Sequence, residues 1–488
     1  MKIGFDNAKY IRLQSEKIRE RIGQFGGKLY LEFGGKLFDD YHASRVLPGF
    51  EPDSKIRMLQ SLRADAEIIV CINAADIEKN KLRGDLGIPY DEDVIRLIGV
   101  FRRMEFLVGG VVITRYTGQP GADAFRRRLK AIGVKSYLHY PIAGYPSDVA
   151  RIVSEDGYGR NDYVKTTRPL VVVTAPGPGS GKMATCLSQL YHENKRGIKA
   201  GYAKFETFPV WNLPLKHPVN IAYEAATVDL NDRNMIDPFH LEAYGVTTVN
   251  YNRDVQIYPV LRAMLTGIQG NSPYASPTDM GVNMAGFCIF DDDAVCEASR
   301  REILRRYYKT AEEEVRHGGD GSVTERMELI MQMAGVQPHD CSVVNACLAR
   351  HEETGKPAGA MELADGSLVT GKTSLLMGAA AALLLNALKK LAGIPQEEDI
   401  ISPEALKPIC ELKINHLHHH NPRLHSNEVL IALSISSATN PKALAALNQL
   451  DALRGCDAHF SVILSNKDID LYKRLNINVC CEPRFEVK

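Results

Sequence analysis

A chain of 488 residues is too long for one ordinary hydrophobic core, so two or three domains are expected. Hydrophobic residues at 45% and charged residues at 24% exclude a disordered or fibrous chain. Lys plus Arg and Asp plus Glu balance at 59 each, which removes any global field that would draw in nucleic acid or an acidic membrane.

The N-terminus, Met1-Lys-Ile-Gly-Phe-Asp, lacks the apolar core of a signal peptide. The longest apolar stretch, 377–385, is broken by Asn386 and then Lys389-Lys390, too soon to span a bilayer. Ten cysteines form no C-x-x-C pair, and Cys480-Cys481 lie in an apolar run, the pattern of reduced core thiols in the cytosol. A cytoplasmic protein is therefore expected, with no nucleic acid or membrane partner and with a homo-oligomer left open.

Strand patterns at 28–33, 67–72, 110–115, 135–140, 170–174 and 199–205 alternate with helical patterns at 55–62, 92–104 and 122–132. Val- and Ile-rich strands separated by helices imply βαβ units and a mainly parallel sheet covered on both faces. This spacing predicts an N-terminal α/β domain over 1–228. Helical patterns at 255–266, 293–315 and 324–334 follow, giving a mostly helical insert or subdomain over 229–335, with Gly318–Ser322 as a linker. A second, smaller α/β domain is expected over 336–488. Its strands are placed at 428–434, 459–464 and 477–481, and its helices at 441–453 and 467–475.

The clearest chemical signal runs from Arg168-Pro-Leu-Val-Val-Val-Thr through Ala-Pro-Gly-Pro-Gly-Ser-Gly-Lys182 into an amphipathic helix. Glycines let successive backbone N–H groups turn around an anion, and a helix start adds free donors and its dipole. Gly177, Gly179, Ser180, Gly181 and Lys182 are the expected phosphate-binding residues, with Lys182 as the point charge on the outer phosphates. Two positions depart from the ATPase pattern: Pro176 replaces the first glycine, and Met183 replaces the hydroxyl that would hold Mg²⁺. Thr185 or Ser180 is left to supply that oxygen. ATP or another phosphate compound, with Mg²⁺ where a metal is needed, is the ligand such a loop suits.

Gly366-Ser-Leu-Val-Thr-Gly-Lys-Thr373 fits the ATPase pattern letter for letter. Its context is wrong, because Asp365-Gly366 reads as a hairpin turn and 367–370 as the returning strand. Lys372 and Thr373 are then presented by a loop, and Thr373 sits where it could cap a helix over 374–391. Gly286-Phe-Cys-Ile-Phe-Asp-Asp-Asp293 ends an apolar run in acids, so Asp291 is a candidate Mg²⁺ ligand, with Asp229 as a rival. The competing reading, an acidic N-cap for the helix from 293, is the stronger. The polar loop 274–283 offers Thr278, Asp279 and Asn283 as substrate contacts. Lys182, Asp279 and Lys372 are the catalytic candidates. His416, His418, His419, His420 and His425 form a dense cluster, and His416 and His418 share one face if the chain there is extended. That makes a metal-dependent hydrolase an alternative, beside a non-catalytic phosphometabolite sensor. The leading expectation is an enzyme acting on a nucleotide or phosphorylated small molecule.

The ordered trio of Val-Thr-Ala-Pro-Gly-Pro-Gly-Ser-Gly-Lys182-Met-Ala-Thr, Ser276-Pro-Thr-Asp-Met-Gly-Val-Asn-Met-Ala-Gly286 and Val369-Thr-Gly-Lys-Thr-Ser374 resembles the bacterial domain-of-unknown-function family 1846. The resemblance covers the whole chain and implies a bacterial cytosolic protein with an N-terminal part and a smaller C-terminal α/β part. It implies no activity, and it makes Pro176 and Met183 features of the family.

Overall fold

The computed structural model describes residues 2–83, 87–205 and 209–486. Contacts divide the chain into two compact units, Lys2–Ser299 and Arg300–Lys488.

The first unit is built on six parallel strands: β1 (Leu29–Phe33), β2 (Ala66–Asn73), β3 (Leu107–Thr114), β4 (Ser136–Leu138), β5 (Leu170–Thr174) and β6 (Gly201–Phe205). Their order across the sheet is β4-β3-β2-β5-β1-β6. Every residue of β1, β2 and β5 is buried, as expected of central parallel strands covered on both faces. Leu29, Leu31, Ile68, Val70, Val111 and Val172 pack with the helices Asn7–Gln24, Ser54–Ser61, Tyr90–Arg103 and Pro120–Ala131 on one face. Tyr30, Cys71, Val171, Val173 and Tyr202 point the other way, onto the helices Lys182–Lys195 and Asn252–Gln269. The connections that follow β1, β2 and β3 thus run over one face, and the one that follows β5 runs over the other. A short antiparallel pair, β7 (Asn234–Ile236) with β8 (Val249–Tyr251), completes the unit's strands among the described residues.

The second unit carries a four-stranded sheet of β9 (Ala358–Glu362), β10 (Leu368–Lys372), β11 (Asp457–Phe460) and β12 (Asn478–Cys481), in the order β10-β9-β11-β12. The Asp365-Gly366 turn joins β9 to β10 as an antiparallel hairpin, Gly366 at φ +82°. The helix Ala379–Leu391 then backs onto the pair so closely that a Cβ at Gly371 would stand 2.4 Å from the Leu383 backbone nitrogen.

Two expectations for this unit fail. Residues 428–434 lie in a helix, Ser426–Ser436, and not in a strand. An apolar run without alternation suits a buried helix as well as a strand, and here the start is fixed by Glu428, which accepts the His425 N–H at 2.8 Å. Glu428 is held in turn by the buried Lys413 at 2.7 Å. Thr373 caps no helix either: its N–H extends the strand ladder to the Pro357 carbonyl at 2.8 Å, and the helix begins only at Ala379 after a turn closed by Ser374.

Asp468 ties the Ser426–Ser436 helix to the helix Asn466–Arg474. It accepts from His425 Nδ1 at 2.9 Å, from the Ser426 N–H at 2.9 Å, and from the hydroxyls of Ser426 and Ser465 at 2.8 and 2.7 Å. Burial opposes its charge, but these donors outweigh burial and hold the carboxyl down at about 2. A depressed carboxyl contributes stability above its unfolded value near 4, and that stability is lost as pH falls through the folded value. Asp468→Asn is therefore expected to cost about 2 kcal/mol at pH 7. In urea melts across pH, the gap from wild type narrows between about pH 4 and pH 2.

Candidate functional site

Where connections leave adjacent parallel strands for opposite faces, their loops diverge and leave a crevice at the carboxyl ends. In this sheet the divergence flanks β5 on both sides, against β2 and against β1. The glycine-rich segment 176–181 is the connection that turns away.

The segment is shaped by two left-handed glycines, Gly179 at φ +75° and Gly181 at φ +85°, the latter directly preceding the helix Lys182–Lys195. The ends of neighbouring strands hold its carbonyls. Thr114 of β3 donates to the Ser180 carbonyl at 2.9 Å, and Asn73 of β2 donates to the Gly179 carbonyl at 3.4 Å. The Ser180 hydroxyl, fully buried, donates to the Gly177 carbonyl at 2.8 Å. In a trans peptide the N–H points opposite to the carbonyl. The N–H groups of Ser180 and Gly181 consequently face away from β2 and β3. Among the described residues no acceptor takes the N–H of Gly179, Ser180, Gly181 or Lys182. Lys182 is half-buried at the helix start.

Thr185 lies elsewhere. It is fully buried on the sheet side of the helix, where its hydroxyl accepts from the Cys71 thiol at 3.4 Å. Burial pushes that thiol up to about 12, so it stays a protonated donor at neutral pH. Met183, in the position of the missing hydroxyl, packs onto the same core.

Sequence reasoning missed the carboxylate beside this loop. Glu32 of β1 is in register with Val173 of β5 on one side and Lys204 of β6 on the other. Register partners point to the same face, here the face that carries Lys182. Glu32 is buried and accepts from the Tyr202 hydroxyl at 2.6 Å. Nearby, burial and then the Glu32 charge push the Tyr145 hydroxyl up. A single acid in an apolar strand pattern gives no signal until its neighbours in the sheet are known.

The loop 274–283 folds as a short helix, Pro277–Met280, beside β6. Thr278 and Asn283 line a small solvent-open cleft together with Lys204, Trp211, Asn250 and Asp254. Asp279 stays outside that lining. Its carboxylate accepts the N–H groups of Ala275 and Ser276, both at 3.0 Å, and the Tyr244 hydroxyl at 3.0 Å, closing the capping box of the short helix.

Lys372, half-buried on β10, and Thr373 belong to the second compact unit. Asp291 is not delivered by a strand end: the preceding residues form a turn of 3₁₀ helix, Ala285–Cys288. It accepts the Ala294 N–H at 3.0 Å as the cap of the helix Asp292–His317 and pairs with Lys2 at 2.7 Å. Asp229 lies in the 3₁₀ turn Val228–Leu230. The histidine run is not extended. His416 ends the helix Pro403–Asn415, His416, His418 and His420 are solvent-exposed, and His425 is paired with Asp468. The face-sharing that a metal site required is therefore missing.

Among the described residues one group brings three mixed ligand atoms together: His217, Asp292 and Cys296. His217 Nδ1 accepts the Val219 N–H at 3.2 Å, which puts the ring proton on Nε2, where it is donated to Asp292 at 3.0 Å. A metal at Nε2 needs the opposite tautomer, so this histidine is built as a helix cap.

The geometry defines an α/β protein on an open parallel sheet with its crevice at a reversal of connection direction. No helix among the described residues is long and apolar enough to cross a membrane. The chain belongs to the family described as Domain of unknown function DUF1846, whose N-terminal model matches residues 3–335 and whose C-terminal model matches residues 339–488. It is 57% identical over 485 residues to a UPF0371 protein of Streptococcus thermophilus, with 99% of this chain and 98% of that protein covered. A UPF0371 protein of Streptococcus sanguinis matches at 57% and one of Streptococcus pneumoniae at 56%, with the same coverage. The full-length resemblance carried by the three motifs stands.

At Gly181 an added Cβ would meet Thr114 Cγ2 at 2.9 Å, in a backbone conformation that itself costs an L-residue about 1–2 kcal/mol. Gly181→Ala is expected to lower stability by about 1–3 kcal/mol in denaturant titration, with the sheet intact by circular dichroism.

Proposed function

We propose that the chain is an enzyme that binds a nucleotide or phosphorylated small molecule in the crevice between β5 and β1. The observation that carries this reading is the peptide orientation in 176–181. Carbonyls held by Asn73 and Thr114 turn the N–H groups of Ser180 and Gly181 outward, and four successive N–H groups lack a protein acceptor among the described residues. They sit at the positive end of a 14-residue helix, an arrangement suited to a phosphate dianion. Lys182 adds a full charge. Glu32, one strand over, is the group that would exchange a proton with a ligand whose phosphate rests on the loop.

One observation favours a second reading, a non-catalytic phosphometabolite sensor. With Met183 in place of a hydroxyl and Thr185 bonded to Cys71, the helix offers no side-chain oxygen for Mg²⁺. Overnight incubation with the bound compound, followed by mass measurement, separates the two: an unchanged ligand mass means a sensor.

A thermal-shift screen of nucleotides and sugar phosphates, with and without Mg²⁺, tests the site itself. A ligand at a hundred times its Kd adds about 2.7 kcal/mol to the folded state. Lys182→Ala is expected to weaken that ligand by about 2–5 kcal/mol, thirtyfold or more. Unchanged affinity in the variant rejects the loop as the phosphate site.

A further inference from the structure

We infer that the cleft at the end of β6 receives the body of the phosphorylated ligand, and that this body is a sugar or similar polyol and not a nucleobase. The inference rests on the phosphate reading above and adds the substrate class.

Position comes first. Val173, Glu32 and Lys204 stand at one level on three adjacent strands, β5, β1 and β6. Two strand spacings, about 10 Å, separate Lys204 from Val173, three residues before the glycine-rich segment begins. That is the reach of a sugar phosphate laid across the carboxyl edge, with Glu32 beneath its middle.

The chemistry of the lining selects the body. Lys204 Nζ meets both oxygens of Asp254, at 2.6 and 2.7 Å, and the two side chains are only 17% and 12% exposed. Each Asp254 oxygen takes one bond from Lys204 and keeps a lone pair. Vicinal hydroxyls donate and accept at once, so they match a carboxylate set beside an ammonium. A nucleobase edge needs amides free to read it, and the amides here are already engaged. Asn250 accepts the Tyr251 N–H at 2.8 Å and donates to Thr278 at 3.3 Å. Asn283 accepts the Ala285 N–H at 3.0 Å and donates to the Pro209 carbonyl at 3.4 Å. The Trp211 indole N–H is likewise fixed, on the Asn283 carbonyl at 2.8 Å, which leaves the half-buried ring as an apolar wall for the C–H face of a sugar.

Trp211 is the only tryptophan in the chain, so its emission reports on this cleft. The full-length protein is titrated with D-glucose 6-phosphate, D-ribose 5-phosphate, AMP and inorganic phosphate, read by Trp211 emission and by melting temperature. The expected result is a saturable emission change with at least one of the two sugar phosphates. Its Kd should be at least tenfold below those for AMP and inorganic phosphate. Asp254→Asn should remove the preference for sugar phosphate over inorganic phosphate while inorganic phosphate still protects the protein. Trp211→Phe, read by calorimetry, asks the same question should Asp254→Asn fail to fold. If AMP binds more tightly than both sugar phosphates, the inference is overturned. It is also overturned if sugar phosphates protect no better than inorganic phosphate and leave the emission unmoved. In both cases the phosphate site survives. If none of the four compounds binds, the phosphate reading itself falls.

Discussion

The constraint on which the first unit depends is the handedness of its crossovers. Parallel strands joined through a helix are connected right-handedly almost without exception. The direction in which the chain moves along the sheet therefore decides the face on which each helix lands. After β1, β2 and β3 it works toward one edge; after β4 it turns back to β5, and after β5 it continues the same way to β6. The helix Lys182–Lys195 is forced onto the opposite face from the helices that follow β1, β2 and β3. The loop after β5 must therefore part from the loops after both of its neighbours, β2 and β1, as a consequence of strand order alone. The strands that border the gap between β5 and β1 are otherwise buried and apolar. Glu32 and Lys204 interrupt that pattern at the gap's level. Glu32 is buried with Tyr202 as partner and Lys204 half-buried with Asp254, as charges drawn out of water require.

Much of this was legible from sequence. The Val- and Ile-rich strands of the first unit fall where periodicity placed them, because a strand buried on both faces has no other composition available. The glycine-rich βα turn was legible because only glycine tolerates the left-handed backbone it needs. Residues 428–434 were not, since an apolar run without alternation carries no period, and the contacts that make it a helix, Lys413 to Glu428 and Asp468 to Ser426, come from elsewhere in the chain. Glu32 and Lys204 were invisible for a related reason. Their meaning lies in sheet order: β5 and β6, the neighbours of β1, arrive more than a hundred residues later.

The two glycine-rich stretches show why a letter match is a weak guide. Gly366-Ser-Leu-Val-Thr-Gly-Lys-Thr373 fits the ATPase pattern fully, yet its glycines answer to other demands. Gly366 makes a hairpin turn, and Gly371 admits the backbone of a crossing helix at a distance no side chain could share. The intervening residues are extended and paired in an antiparallel ladder, which uses alternate N–H groups and keeps the rest from converging on one anion. In 176–181 the match is poorer, but the carbonyls are the groups engaged and the N–H groups are left over. What distinguishes them is which half of the peptide the protein has already used.

That distinction bears on the kind of chemistry the proposed site suits. Phosphoryl transfer leans on a metal held by side-chain oxygens beside the phosphate, and this helix start presents Met183, with Thr185 turned into the core. A phosphate bound by N–H groups and one lysine is held firmly but not activated as a leaving group. In such a site the phosphate serves better as a handle that fixes the rest of the ligand across the sheet edge, where positioning alone lowers the barrier to reaction. The group beneath that remainder is Glu32, a carboxylate whose position is set by strand pairing and by its bond from Tyr202. Acid–base chemistry on the unphosphorylated part of the ligand therefore fits this geometry better than transfer of the phosphate.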